Sequence, residues 1–107
     1  MRSAMKDTVK TPEDCQSMAD VRAGVDATDQ QLVKLLATRY GYMRAAARIK
    51  QDRDTVRDEE RKARVIKAAA TAAGNAGLPS GDIAELWDRL VESSIAYELV
   101  EWDRIRS

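Results

Sequence analysis

The chain contains no histidine and no phenylalanine, and only one cysteine and two prolines in 107 residues. Each shortage excludes something. Without histidine there is no serine–histidine triad, no cysteine–histidine dyad and no ordinary zinc site. A single cysteine, Cys15, cannot close an internal disulfide, and a reducing cytoplasm is the expected setting. No apolar run approaches the length of a membrane span, and Met1 to Lys10 lacks the apolar centre of a secretory signal. The stretch from Gly74 to Gly81 lacks the Gly-Lys-Ser/Thr ending of a phosphate-cradling loop. Eighteen basic residues balance eighteen acidic ones, which argues against nucleic acid or an anionic membrane as partner. If the chain is an enzyme, it works by charge and shape, without a metal or cofactor.

What is present is helical pattern. With 44% apolar residues and few aromatics, the composition favours one all-α domain. Residues 1–10 are expected to form a flexible tail and 11–107 the helical domain. Thr11-Pro12-Glu13-Asp14 reads as a short turn with proline at the first helical position. Ser17, with Asp20 three residues on, reads as the start of a long helix. Apolar residues then recur at steps of three and four through Val21, Val25, Leu32, Leu35, Leu36, Met43, Ala46, Ala47 and Ile49. A helix from Ser17 to Lys50 would be roughly 50 Å long. A compact domain of this size has a radius of gyration of only about 13 Å. Such a helix overruns any monomeric globule, and a second copy of the chain is the simplest cover for its apolar stripe.

Beyond Lys50 the pattern breaks, and Gln51 to Arg57 reads as a loop. Asp58 is placed to cap a second, shorter helix that ends at Gly74-Asn75-Ala76-Gly77. Leu78-Pro79 turns the chain. Ser80 is the expected cap of a third helix, which runs through Ile83, Leu86, Trp87, Leu90, Val91, Ile95, Val100, Trp102 and Ile105. The expected order is long, short, long, with no strand.

Some polar residues border the apolar stripes. Arg39 and Lys50 are eleven residues apart, so they fall within about 20° on one helix face and ~16 Å apart along it. Both side chains can lean toward one anionic ligand. Arg22 lies about 100° round and ~25 Å down the same helix, beyond reach in its own chain. In an antiparallel dimer the partner's copy can reach. On the third helix Ser94 and Glu98 continue a row begun by Leu90, presenting a hydroxyl and a carboxyl. Taken singly, each cation reads rather as a solvated charge with its stem on the core, Ser94 as a helix-edge serine and Glu98 as paired with some lysine or arginine; it is together that they point to a pocket. Trp87 and Trp102 read as core or interface, and Cys15 as inert.

At these residues the chain resembles the all-α chorismate mutase family, which includes the isochorismate pyruvate lyases. The resemblance covers about Thr11 to Trp102. It is carried by the segment from Val21-Arg22 through Asp26, Asp29, Leu32, Leu35 and Leu36 to Arg39, by the Arg22, Arg39, Lys50 spacing, by Val56-Arg57-Asp58 and by Ser93-Ser94-Ile95-Ala96-Tyr97-Glu98. It implies an intertwined helical homodimer with two active sites, each taking one arginine from the partner. It also implies that Arg22 from one chain and Arg39 from the other bind the substrate's two carboxylates. Lys50 would contact a carboxylate and the ether oxygen, Asp58 would lie near the ring hydroxyl, Ser94 would hold a carboxylate and Glu98 would face the ether oxygen. Lys50 and Glu98 are the catalytic pair in this scheme.

The implied activity is rearrangement of chorismate to prephenate. One pericyclic step breaks a carbon–oxygen bond as a carbon–carbon bond forms, with no metal or nucleophile. Holding the side chain over the ring and presetting donors at the ether oxygen both accelerate it. Glu98 stands where the common bacterial pattern has glutamine. Only its protonated form can donate a hydrogen bond, so activity is expected to fall as pH rises and Glu98 loses its proton. Lys62 stands where mutases of this type often carry a glutamate for the ring hydroxyl. Lys10-Thr11-Pro12-Glu13-Asp14-Cys15, the ending from Ile95 to Trp102 and a loop after Lys50 shorter by one residue resemble the pyruvate lyase branch, whereas Val56-Arg57-Asp58 resembles the mutases. The leading expectation is chorismate mutase, and the alternative is an isochorismate pyruvate lyase giving salicylate and pyruvate. A third reading is a non-catalytic helical dimer that binds a small dicarboxylate or a protein.

Overall fold

The computed structural model describes residues 9–107. The expected tail over residues 1–10 lies almost wholly outside them. Three helices carry the described chain: α1 (Met18–Ile49), α2 (Glu59–Asn75) and α3 (Ser80–Arg106). Short 3-10 turns at Pro12–Asp14 and Arg53–Thr55 precede α1 and α2. Among the described residues there is no strand, and no helix is long and apolar enough to cross a membrane. The all-α, long–short–long order expected from the periodicity is the order found. The described residues divide into two compact units, with the boundary between Arg39 and Tyr40.

The first unit contains the start of α1. Ser17 Oγ accepts from Asp20 N at 3.1 Å, the expected cap. The Asp20 carboxylate reaches back to Gln16 N at 3.0 Å and pairs with Lys10 at 3.2 Å. The Gln16 N–H, then Lys10, hold that carboxyl below its ordinary range. Past this anchored start the apolar stripe lies bare within the single chain. Leu32 is 52% exposed and Leu35 67%.

The second unit contains the last turns of α1 with α2 and α3. Its core is built on Val56, Val91 and Ile95, with Val65, Leu99 and Trp102 packed around them. Ala47, fully buried, lets the end of α1 approach closely. Asp58 caps α2 by accepting from Arg61 N at 3.0 Å, and Glu59 and Glu60 occupy the first turn, where the helix dipole favours acid. At the other end Gly77 adopts a φ of +77°. Leu78 N then reaches Ala73 O at 2.8 Å and Gly77 N reaches Gly74 O at 3.1 Å, the paired closure of a Schellman stop. One expectation is corrected. Ser80 is the first residue of α3, and Pro79 holds the cap position without a side-chain bond. The extended backbone of the proline, φ −69° and ψ 103°, fits the half-helical residue before the first turn, so the hydroxyl falls one position too late to cap.

Candidate active site

Lys50 is the residue immediately after α1, and the helix end aims its side chain at α3. Its Nζ lies 2.8 Å from Glu98 Oε2 and 3.5 Å from the Val56 carbonyl. Glu98 is only 4% exposed. Its buried Oε2 has no hydrogen-bond partner, although the ammonium is so close. The contact is therefore charge beside charge, without the alignment of a hydrogen bond. An acid buried like this is costly unless something completes its bonding. Ser94, one turn earlier on the same face of α3, is equally buried, and its hydroxyl donates to Leu90 O at 2.8 Å.

Polar contacts also tie the last turns of α1 to α3. The Tyr40 and Ser93 hydroxyls share a bond of 2.7 Å, and Arg44 donates to the Tyr97 hydroxyl at 2.8 Å. The rings of Tyr40 and Tyr97 meet edge to face at 4.9 Å, a favoured aromatic geometry. At the base of α1, the Trp102 indole donates to Lys50 O at 3.0 Å, and Arg106 donates to Ala47 O and Lys50 O at 3.0 and 2.7 Å.

A charged network joins α2 to α3. Arg57 grips Glu92 through both nitrogens, at 2.7 and 3.1 Å. Lys62 contacts Glu92 at 2.6 Å and Asp88 at 3.0 Å. Arg57 first, then Lys62, depress the Glu92 carboxyl from 4.5 to about 2, while Glu92 raises Lys62. Lys62, which stands where the resemblance leads one to expect a glutamate, is thus already matched with two acids.

Of the six residues singled out from sequence, Lys50 and Glu98 are in direct contact, and Ser94 shares the face of α3 with Glu98. Asp58 spends its carboxylate on the cap of α2 and is exposed. Arg22 and Arg39 belong to the first unit, Arg22 exposed and Arg39 half-buried. Sequence reasoning named Arg57, Lys62 and Trp102 but missed Glu92, Arg106 and the pairings they make. The i, i+4 spacing of Trp102 and Arg106 was a visible signal; their partner on another helix was not.

The fold and this pair define an all-helical protein, without histidine, that sets an ammonium against a buried acid. The profile of the chorismate mutase type II family matches residues 21–99, and the chain belongs to that family. It is also similar to a protein of Pseudomonas aeruginosa named isochorismate pyruvate lyase, with 32% identity over 98 residues, 92% of this chain and 97% of that one.

Proposed function

We propose that this chain is a chorismate mutase whose site is completed by a second copy of itself. The observation that carries the reading is the Lys50–Glu98 pair, a buried acid with an unbonded oxygen 2.8 Å from an ammonium. Two donors converging on one point are what a pericyclic carbon–oxygen cleavage needs where charge develops. In this reading the Lys50 ammonium donates to the ether oxygen. Protonated Glu98 supplies the second donor. The dianionic substrate competes with Glu98 for the positive charge of Lys50.

Arg39 and the partner's Arg22 hold the two carboxylates, and Ser94 assists. These contacts fix the enolpyruvyl group over the ring, so that the new carbon–carbon bond forms as the ether bond breaks. The bare apolar stripe of the first unit, with Leu32 and Leu35 more than half exposed, supports the homodimer. An apolar surface of that kind needs a cover.

A second reading is favoured by one specific finding. The relative with near-complete mutual coverage is named a lyase. Isochorismate carries the same two carboxylates and the same kind of ether. Its conversion to salicylate and pyruvate can use the same cations. Incubating the purified protein separately with each substrate distinguishes the readings. Prephenate from chorismate supports the mutase. Salicylate with pyruvate from isochorismate, and no prephenate from chorismate, replaces it with the lyase. Turnover of neither sinks both.

A further inference from the structure

An α-helix ends with carbonyls that have no partner in the helix. At the end of α1 the last backbone bond runs from Lys50 N to Ala46 O at 2.8 Å, which leaves the carbonyls of residues 47 to 50 beyond the helical ladder. Two of these are taken by the last turns of α3. Lys50 O receives both the Trp102 indole N–H and an Arg106 guanidinium nitrogen, at 3.0 and 2.7 Å. Ala47 O receives another nitrogen of Arg106 at 3.0 Å. The guanidinium also lies 4.1 Å from the centre of the Trp102 ring, a cation–π contact that keeps the two side chains together. A positive charge at a helix C-terminus is favourable in itself. The residue so clamped by its carbonyl is the one whose ammonium faces Glu98.

We propose that Trp102 and Arg106 are positioning residues that set the backbone of Lys50 and thereby aim its ammonium at the reacting ether. The inference rests on Lys50 being a substrate-contacting group, as argued above. Lysine has a flexible four-carbon stem. Its tip can be preorganised only if its backbone is held and its stem is packed. Lys50 follows the last helical residue, where no further turn restrains it. Two donors from the opposite helix hold its carbonyl instead, and a third holds Ala47 O one turn earlier. Removing one leaves the fold's core intact but lets the Lys50 carbonyl turn toward water.

Steady-state kinetics of Trp102→Phe, Arg106→Ala and Arg106→Lys test this, on whichever of the two substrates the parent turns over, beside thermal melts followed by circular dichroism. Trp102→Phe keeps an aromatic ring in the core and removes the N–H. Arg106 is an exposed residue in the last turn, so its loss leaves the chain folded. At a temperature where every variant is fully folded, Trp102→Phe and Arg106→Ala are each expected to lower kcat about tenfold, with KM changed far less. Arg106→Lys, which restores one donor and the charge, is expected to recover part of the loss. Parental kcat in the folded Trp102→Phe and Arg106→Ala variants overturns the inference, as does a loss that follows only the unfolded fraction. Lys50→Ala separates the two levels. If it abolishes turnover while the other variants match the parent, only the positioning role falls. If Lys50→Ala itself keeps parental turnover, the active-site reading falls and the positioning role with it.

Discussion

The ammonium of Lys50 stands 2.8 Å from Glu98 Oε2, and that oxygen, although buried, accepts no hydrogen bond. Lys50 follows the end of α1 and Glu98 lies on α3, and the two share charge without a hydrogen bond. Glu98→Gln keeps the shape and supplies an amide donor at any pH. Glu98→Gln is expected to keep turnover, whereas Glu98→Ala, which removes the group beside Lys50, is expected to lose it by a factor on the order of 10². Parental rates in the folded Ala variant would refute the role of Glu98 beside the ether oxygen.

The cations divide binding from mere architecture. Arg39→Ala and Lys50→Ala are each expected to reduce kcat/KM by a factor on the order of 10² to 10³, the size of one lost charge-stabilising donor. Thermal melting should shift by only a few degrees. A non-catalytic dimer would show the small stability change and no other defect, so assays and melts on the same preparations decide between them.

The partner arginine has its own test. Arg22→Ala and Arg39→Ala homodimers should each be nearly inactive. When they are mixed and allowed to exchange subunits, half of the sites in each heterodimer regain both arginines. Roughly a quarter of parental activity should return, from random pairing of symmetric dimers. No recovery after verified exchange would place both arginines of a site in one chain.

The α2–α3 pairing should weaken in acid. Glu92 is held at about 2 by Arg57 and then Lys62, against an ordinary 4.5. A carboxyl depressed in the folded state contributes its full stability above its unfolded value and loses it as pH falls through the folded one. Melting temperature should therefore decline as pH drops from about 4.5 toward 2. Glu92→Gln should start lower and decline less, and high salt should narrow the gap, since the groups are solvent-facing. Melts at stepped pH values check this, and an identical decline in both proteins would contradict it.

Gly77 is the one residue at the end of α2 with a positive φ. Gly77→Ala should destabilise the folded chain by about 1 kcal/mol, the cost of putting a Cβ in the left-handed region. Denaturant unfolding measures it, and an unchanged midpoint would count against a strained stop.

The sequence by itself determined the three helices, the Ser17 and Asp58 caps, the stop at Gly77 and the family, because these depend on periodicity and on bonds between near neighbours in the chain. It also singled out Lys50 and Glu98, though only as charges beside apolar stripes. The one local miss, Ser80, was a matter of a single position, decided by the backbone of Pro79. Only the tertiary structure decided that Glu98 is buried against Lys50, that Lys62 is matched by Asp88 and Glu92, and that Trp102 and Arg106 close the end of α1. Those partners are 26 to 59 positions apart, and which long side chain meets which depends on how two helices pack, which no local pattern encodes.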